Sequence, residues 1–328
     1  AMVLINGESL YAFRDPNGIR PLVLGKLPND AGWCVASETC AFDILGAEFV
    51  REVEPGEVLR INAEGLVSER AVAPRKKALC IFEHVYFARP DSVMDGATVQ
   101  SMRVKMGEQL ARESAVEADL VIGVPDSGLP GAEGFSRASG IPCRTGFVKN
   151  RYVGRTFIQP TQEMRELGVR LKLNPLRETI EGKRVVVVDD SIVRGTTSKQ
   201  IVRMLREAGA TEVHMRIVSP EVKWPCFYGI DTDTQDQLIS ARKTPEEVCE
   251  WIGADSLAFL SVEGLLSCVP EGGYCCSCFD GAYPVEIPAV FSQGKFLDGY
   301  TPNNLTKASA NSHRSVSDVA REIEKEYE

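Results

Sequence analysis

Two adjacent carboxylates, Asp189 and Asp190, stand at the end of an apolar run and open a loop of small and hydroxyl-bearing residues. The run before them, 185–188, is four consecutive valines, which predicts a strand buried on both faces in the middle of a parallel sheet. The loop after them reads S-I-V-R-G-T-T-S. A buried strand therefore delivers two carboxylates to the edge of its sheet, where they can accept hydrogen bonds from hydroxyls or hold a cation.

The residues after this loop predict a helix over 198–208, with Gly209 placed to end it. Apolar residues at helical spacing support this helix: Ile201, Val202, Leu205 and Ala208. Thr197 as the N-cap, with Gln200 three residues later, fits a capping box. The helix is therefore expected to begin where the loop ends.

The start of this helix is a predicted phosphate pocket, because its first amides lack intrahelical partners and the helix dipole favours an anion there. Small and hydroxyl-bearing residues surround it: Ser191, Gly195, Thr196 and Thr197. Carboxylates beside a phosphate would repel it unless they face hydroxyls of the same ligand or a shared cation. A phosphorylated sugar with two free hydroxyls meets both demands. An α/β domain with a threonine-rich loop and a generic nucleotide site remain as alternatives, although no G-x-x-x-x-G-K-[ST] run occurs.

Two further apolar strands lead to polar loops. The strand at 119–124 leads to P-D-S-G from Pro125 and then to a helix near Leu129, and the strand ending near 147–148 leads to K-N-R-Y-V-G-R. In an open α/β sheet the ligand lies across the carboxyl ends of the strands, so all three loops are expected to face one crevice.

The acidic pair with its threonine loop resembles the signature of type I phosphoribosyltransferases, which use 5-phosphoribosyl 1-pyrophosphate (PRPP). Three longer runs resemble the glutamine PRPP amidotransferase family: C-I-F-E-H-V-Y-F-A-R-P-D-S from Cys80, K-N-R-Y-V-G-R-T-F-I-Q-P from Lys149, and D-D-S-I-V-R-G-T-T-S from Asp189. The resemblance covers roughly residues 1–285.

The resemblance implies an α/β fold, namely a type I phosphoribosyltransferase domain with an open, mostly parallel sheet and flanking helices. Ahead of it would lie the C-terminal part of an N-terminal-nucleophile hydrolase α+β sandwich. The implied reaction forms 5-phosphoribosylamine and pyrophosphate from PRPP and ammonia, the first step of de novo purine biosynthesis. Glutamine would supply the ammonia in the complete enzyme, purine nucleotides would be feedback inhibitors, and the protein would be a homotetramer.

The resemblance also assigns roles to the three loops. PRPP would be bound by ten residues: Asp126, Ser127, Gly128, Asp189, Asp190, Ser191, Arg194, Gly195, Thr196 and Thr197. Mg²⁺ would be held by Ser127, Asp189 and Asp190, with pyrophosphate at the P-D-S-G loop. In the resembled family the basic loop is a flexible lid that excludes water and stabilises the departing pyrophosphate. Its implied catalytic residues are Lys149, Arg151, Tyr152 and Arg155.

Ten cysteines without an export signal are not expected to form a disulfide framework. A C-x-x-C pair near the carboxyl end, with Cys276 inside it, can bind zinc, an iron–sulfur cluster or form a redox disulfide. The iron–sulfur branch of the resembled family completes a four-thiolate set with two distant cysteines. This implies a [4Fe-4S] cluster on four residues that ties the tail to the domain junction: Cys80, Cys226, Cys275 and Cys278.

The length of 328 residues predicts more than one domain. By resemblance, 1–75 is the C-terminal part of a glutaminase domain, 76–288 is the phosphoribosyltransferase domain, and 289–328 is a partly disordered or helical tail with a short helix from about Ser317. The family's amino-terminal cysteine nucleophile has no counterpart, since the chain begins Ala1-Met2. We therefore expect ammonia-dependent activity without glutaminase from this chain, and an uncovered apolar face on its incomplete sandwich.

A net charge of −9 without a Lys/Arg block argues against nucleic-acid binding. The apolar runs fall short of the roughly 18 residues that span a bilayer, and no signal-peptide pattern occurs, so a soluble cytoplasmic protein is expected. The competing functions are a PRPP-binding regulator with a DNA-binding segment and a base phosphoribosyltransferase with a base-binding hood. His84, His214 and His313 form no catalytic spacing and are expected to be structural or surface residues.

Overall fold

The structure is a computed structural model that describes residues 1–150, 152, 172–230, 232 and 234–288. The predicted tail over 289–328 with its short helix, and His313 within it, lie outside the described residues. Among the described residues, no helix combines the length and apolar character that a bilayer span requires.

Residues 1–70 form two antiparallel sheets and one short helix. The elements in chain order are β1 Met2–Asn6, β2 Ser9–Phe13, β3 Val23–Lys26, a 3-10 turn Pro28–Asp30, β4 Trp33–Ala36, α1 Cys40–Leu45, β5 Glu48–Glu52, β6 Glu57–Asn62 and β7 Gly65–Arg70. The sheet orders are β1-β2-β6-β7 and β4-β3-β5. A small core closes between them: Ala12, Leu22, Leu24, Val53 and Leu59.

Three elements of this first part, β1, α1 and β5, expose apolar side chains. All five residues of β1 are exposed, Ile5 to 72%. Further exposed apolar side chains come from α1 and β5: Ile44, Leu45, Phe49 and Val50. Exposed apolar side chains therefore lie on two edge strands and one helix, and the expected uncovered sheet face stays a prediction.

The second part begins near residue 79 and is built around a parallel sheet. Its elements are β8 Leu79–Cys80, a π-helix Glu83–Phe87, β9 Val93–Met94, β10 Ala97–Thr98, α2 Val99–Glu113, β11 Leu120–Gly123, α3 Gly128–Ser139, β12 Phe147–Lys149, β13 Leu173–Pro175, α4 Arg177–Ile180, β14 Arg184–Asp189, α5 Thr196–Glu207, β15 Glu212–Ile217, 3-10 turns Gln235–Gln237 and Ile239–Ala241, α6 Pro245–Ile252, β16 Ser256–Phe259, α7 Val262–Ser267, β17 Tyr274–Cys275 and α8 Ser277–Asp280.

The valine run forms β14, the second strand of a parallel sheet of order β11-β14-β15-β16. Val185 and Val187 pack into one hydrophobic cluster and Val186 and Val188 into the other, and all four are completely buried. The predicted strand, with an apolar layer on each face, is confirmed. Since neighbouring strands run in the same direction, β11 and β14 end at the same edge of the sheet.

The basic loop does not follow a strand of this sheet, as the sequence had suggested. β12 instead pairs antiparallel with β13, with Val148 opposite Asn174. The burial of β12 explains the difference, because Val148 is 49% exposed whereas strands of the parallel sheet are covered on both faces. The segment 150–172 therefore joins the two strands of a ribbon.

The predicted capping box on Thr197 and Gln200 is wrong. α5 begins one residue earlier, at Thr196, with Gly195 as its N-cap in the left-handed conformation (φ 77°) and no side-chain cap. Thr197 is thus already inside the first turn, and Gln200 is buried, so it does not reach back to cap the helix. The predicted end is confirmed, since α5 closes at Glu207 and Gly209 has φ 97°.

His84 and His214 are structural residues, as predicted. His214 is buried and contacts Ser256 Oγ and Glu212 Oε2 at 2.9 and 3.0 Å. His84 is completely buried against Tyr274, at 5.5 Å between ring centroids, and neither of its ring nitrogens has a hydrogen-bond partner. Burial lowers the pKa of His84 to about 4.

This buried imidazole predicts a loss of stability in acid. Because folding lowers the pKa of His84 below its unfolded value, its contribution is complete above about pH 6.5 and is lost as the pH falls through about 4, by roughly 3 kcal/mol. Urea unfolding at several pH values should show this decline in the free energy of unfolding. His84→Phe should remove most of this decline, and His214→Gln, which removes an imidazole whose pKa burial also lowers, should remove a smaller part. An identical decline in His84→Phe would contradict this assignment.

Candidate functional site

The acidic pair lies where β14 ends, and neighbouring groups fix both carboxylates. Asp189 and Asp190 are only 6% and 8% exposed. Ser127 Oγ donates to Asp190 Oδ1 and Ser191 Oγ donates to Asp190 Oδ2, each at 2.6 Å. The Asp190 amide donates to Asp189 Oδ1 at 2.9 Å. The structure thus brings Ser127, Ser191 and the two acids together, as the sequence predicted.

Two buried neighbouring carboxylates are electrostatically unfavourable without a positive charge. Burial and, after it, the charge of Asp190 raise the pKa of Asp189 well above its usual value. Among the described residues, no Lys, Arg or His nitrogen lies within 4 Å of either carboxylate. A hard cation that accepts carboxylate and hydroxyl oxygens would relieve the repulsion, so this donor set fits Mg²⁺.

The predicted phosphate pocket assembles at the start of α5. Gly195, Thr196 and Thr197 form the turn into the helix, whose first amides have no intrahelical acceptor. A side chain at Gly195 would also come within 2.8 Å of the Trp251 ring, so glycine is required on both conformational and steric grounds. Arg194 is exposed and lines a shallow surface groove with Arg242 and Lys243.

The P-D-S-G loop meets the acidic pair at the edge of the sheet. The peptide bond between Pro125 and Asp126 is cis. A side chain at Gly128 would come within 2.4 Å of the Val188 carbonyl oxygen, so the missing side chain lets the start of α3 lie directly on β14. This close approach brings the Ser127 hydroxyl to the Asp190 carboxylate. The side chain of Asp126, the residue before Ser127, remains exposed.

The basic loop reaches this site at its first residue. The Lys149 ammonium donates to the Asp126 carboxylate, which connects the β12–β13 ribbon to the P-D-S-G loop. Tyr152 is fully exposed. Arg151 and Arg155 lie outside the described residues. Of the four predicted catalytic side chains, the structure therefore brings Lys149 to the other loops.

A second group of functional candidates is a set of buried thiols at the junction of β8, β17 and α8. Each of the four predicted cluster residues is less than 10% exposed: Cys80, Cys226, Cys275 and Cys278. Cys80 and Cys275 are directly paired in the register of β8 and β17. Burial raises the pKa of Cys80 to about 12, and burial with the neighbouring thiols raises that of Cys278. No disulfide links any of the ten cysteines, all of which lie within the described residues.

Within the part of the chain that the structure describes, no three His, Cys, Asp or Glu side chains form a group that could hold a metal ion. The four thiols share a buried region, and the predicted cluster on them stays a prediction. Cys276 is a fifth buried thiol, and its charge would act on Cys278.

Two further charged residues, neither of which had a predicted role, link segments that are distant in the chain. Glu38 Oε2 accepts from the Arg89 amide and from Ser92 Oγ, both at 2.7 Å. Arg103 is buried within α2 and donates to the carbonyls of His84 and Ala88. A signal for Arg103 was available, since it interrupts the apolar face of α2.

Comparisons with known proteins agree with this geometry. A family model for the phosphoribosyl transferase domain matches residues 105–219. Amidophosphoribosyltransferases from Synechocystis sp. and Bacillus subtilis are 57% and 55% identical, over 90% and 88% of this chain and 61% of each relative. One from Mycobacterium tuberculosis is 53% identical, over 94% of this chain and 59% of the relative. The chain thus spans about three fifths of the length of these relatives.

Two solved structures are similar in fold, each with a TM-score of 0.80 and 54% identity over 88% of this chain. One is described as the allosteric regulatory enzyme of purine biosynthesis and is covered over 63% of its length. The other is glutamine PRPP amidotransferase from B. subtilis complexed with ADP and GMP, covered over 64%.

Proposed function

Because this chain belongs to the amidophosphoribosyltransferase family, we propose that it forms 5-phosphoribosylamine and pyrophosphate from PRPP and ammonia, the first step of de novo purine biosynthesis. The observation that carries this proposal is the buried pair Asp189 and Asp190 beside the glycine turn at Gly195. Carboxylates suit the hydroxyls of a pentose, and the free amides of a helix start suit its phosphate.

The proposed mechanism follows from where charge develops. Departure of pyrophosphate from the anomeric carbon leaves positive charge on the ribose ring and adds negative charge to the leaving group. The Asp190 carboxylate, held by Ser127 and Ser191, would accept ribose hydroxyls and fix the ring. Lys149 would exchange its contact with Asp126 for the departing pyrophosphate. Ammonia would then attack the opposite face of the anomeric carbon.

We propose that the remaining predicted PRPP contacts act through the same three loops. Thr196 and Thr197 would bind the 5-phosphate at the start of α5, with Arg194 at its edge. Arg151, Tyr152 and Arg155 would close over the reacting carbon and exclude water. Ser127, Asp189 and Asp190 would hold Mg²⁺, which when bound neutralises pyrophosphate charge.

We also propose a [4Fe-4S] cluster on Cys80, Cys226, Cys275 and Cys278. The buried all-thiol donor set supports it, and the Tyr228 amide donates to Cys226 Sγ at 3.3 Å, a contact of the kind that stabilises a thiolate. Phosphoribosyl transfer has no redox step, so the cluster would be structural and join the β17–α8 segment to β8. Reduced thiols and such a cluster suit the cytoplasm.

The same resemblance supports three further proposals. Purine nucleotides would inhibit the enzyme by placing their 5'-phosphate at Thr196 and Thr197, a proposal supported by the complex of the B. subtilis relative with ADP and GMP. The chain would divide into a hydrolase-derived part at 1–75, a transferase domain at 76–288 and a tail. It would assemble as a homotetramer, which light scattering during gel filtration would measure.

One assay separates the proposed function from its alternatives. Pyrophosphate release from PRPP and Mg²⁺ is measured with ammonium, with orotate and with each free purine base as acceptor. The proposal expects release with ammonium alone. Release only with a base would favour a base phosphoribosyltransferase, and PRPP binding without release would favour a regulatory protein. Either of these outcomes would refute the proposed function.

A further inference from the structure

The turn that begins α5 lacks a side chain of its own to stabilise it. Gly195 is the N-cap of this helix in the left-handed conformation, and no side chain caps the first amides. Glycine is the residue with the greatest conformational freedom, so the turn by itself does not fix the direction of those amides. A helix start binds a phosphate only where its amides converge on the ligand. The turn therefore needs support from outside the loop.

That support comes from two side chains that contact Gly195. A Cβ placed on this glycine would lie 2.8 Å from Trp251 Cζ3 and 2.9 Å from Ile239 Cδ1, so both side chains lie directly against its backbone. The Ile239 amide also donates to the Val193 carbonyl at 2.9 Å, two residues before the glycine. The loop is thus held by one backbone hydrogen bond and by two apolar contacts.

Trp251 lies on a helix whose own position is fixed. α6 begins with a capping box, in which the Glu247 amide donates to Thr244 Oγ1 at 3.3 Å and the Thr244 amide donates to Glu247 Oε2 at 2.8 Å. Val248 and Ile252 on the same helix are buried in the hydrophobic cluster on one face of the sheet. Because a closely packed helix resists displacement, its indole can hold a flexible turn in place.

The indole also separates two grooves on the surface. Thr196 and Lys199 line one groove and Arg194 lines the other, and half-buried Trp251 belongs to both. Lys199 Nζ lies 4.6 Å from the centroid of the indole ring, a cation–π contact that joins the ring to the first turn of α5. Removal of the indole would therefore merge the two grooves and take away a contact that restrains Gly195.

We propose that Trp251 is a positioning residue of the sugar-phosphate site, which holds the Gly195 turn so that the amides of Thr196 and Thr197 point at the 5-phosphate of PRPP. The inference rests on the proposed function and extends it to a residue outside the three loops. The indole acts through the turn and does not touch the substrate.

The two ends of PRPP separate this role from a general effect on folding. The 5-phosphate would bind at the Gly195 turn, and pyrophosphate would bind at the P-D-S-G loop. The second loop has its own support, because Ser127 donates to Asp190 and Gly128 lies directly on β14. Loss of the Trp251 indole should therefore weaken ligands that carry the 5-phosphate and spare pyrophosphate.

The experiment compares Trp251→Ala and Trp251→Phe with the unsubstituted chain. KM and kcat for PRPP are measured by pyrophosphate release with ammonium, and the affinities for ribose 5-phosphate and for pyrophosphate, each with Mg²⁺, by calorimetry. We expect Trp251→Ala to raise KM for PRPP and to weaken ribose 5-phosphate binding about tenfold, the effect of one lost phosphate hydrogen bond. Its kcat should change less, and its affinity for pyrophosphate should not change. Trp251→Phe should recover part of the loss, since a phenyl ring keeps an aromatic contact with Gly195.

A matched control is Trp33 on β4, which is also half-buried and has Lys26 Nζ 6.0 Å from its ring centroid. Trp33→Ala should lower the Tm and leave both affinities unchanged. Equal losses of ribose 5-phosphate and pyrophosphate affinity in Trp251→Ala, or no loss of either, would overturn the inference while the proposed function stands. If the unsubstituted chain binds neither ribose 5-phosphate nor PRPP, the proposed function fails first and this inference fails with it.

Discussion

Replacing Asp190 with asparagine should reduce pyrophosphate release from PRPP and ammonium by about a thousandfold, because it removes the charge aimed at the ribose and the cation. The loss should not come from misfolding. Asparagine keeps one oxygen that can accept from Ser127 or Ser191, so the loop contacts at the sheet edge largely persist. Steady-state kinetics with circular dichroism of the same samples would separate the two effects.

Asp189→Asn should likewise strongly reduce turnover, yet it should stabilise the protein. Since folding raises the pKa of Asp189, its contribution to stability is complete below the unfolded pKa and is lost as the pH rises. At neutral pH without Mg²⁺, asparagine removes the repulsion while its oxygen still accepts from the Asp190 amide. We expect a gain of about 1 kcal/mol at pH 7.5, which shrinks toward pH 4.

The matched control for both substitutions is Asp119→Asn. Asp119 is also a carboxylate beside β14, but at its opposite end, where it accepts from the Arg184 amide at 2.8 Å. Its substitution should leave kcat and KM for PRPP unchanged. Full activity of Asp189→Asn or Asp190→Asn, or a comparable loss in Asp119→Asn, would remove the basis for the proposed site.

Cys278→Ser should eliminate the iron of the purified protein and unfold the region where the β17–α8 segment meets β8. Cys278 is a buried thiol on α8, and its carbonyl accepts from the amides of Lys223 and Trp224. Loss of a structural cluster leaves its remaining thiols buried without partners, so we expect a fall of several kcal/mol in stability, about as large as the loss of a structural metal. Iron analysis, visible absorption and thermal unfolding measure this.

Two other buried cysteines distinguish a cluster ligand from a thiol that merely fills space. Cys276→Ser tests the register of the C-x-x-C pair, and it should retain iron if Cys275 and Cys278 are the ligands. Cys268→Ala should also retain iron, because that thiol donates to the Gly264 carbonyl within α7. Iron-free unsubstituted protein prepared without oxygen, or iron retained in Cys278→Ser, would rule out the proposed cluster.

The strands and loops of the candidate site could be predicted because local sequence determines them. Four consecutive valines favour a strand that is buried on both faces, and the two acids that follow them must then lie at the end of that strand. The β12–β13 ribbon could not be predicted in this way. Three residues carry too little periodicity to show whether a strand joins a parallel sheet or pairs with its own neighbour.

Arg103 and Glu38 escaped the sequence analysis for a different reason. The sequence can show Arg103 as a charge on the apolar face of α2, but its partners and those of Glu38 lie at least 15 residues away, so no spacing in the chain reveals the contacts. The wrong prediction of the N-cap of α5, by contrast, has a cause in the local backbone conformation. Gly195 takes a left-handed conformation that starts the helix a residue early, and Thr197 then has no capping role.

The two-residue pairing of β8 with β17 bears on how this chain folds as it is synthesised. The Leu79 amide donates to the Gly273 carbonyl at 3.0 Å. A side chain at Gly273 would collide with the Lys77 backbone, so the two segments can approach this closely only with glycine at 273. This pairing joins the first strand of the second part to the last strand of the described residues. A nascent chain that has not yet reached residue 275 lacks one member of that pair, so the apolar cluster around Cys80 and Phe279 closes only after Phe279 has been translated.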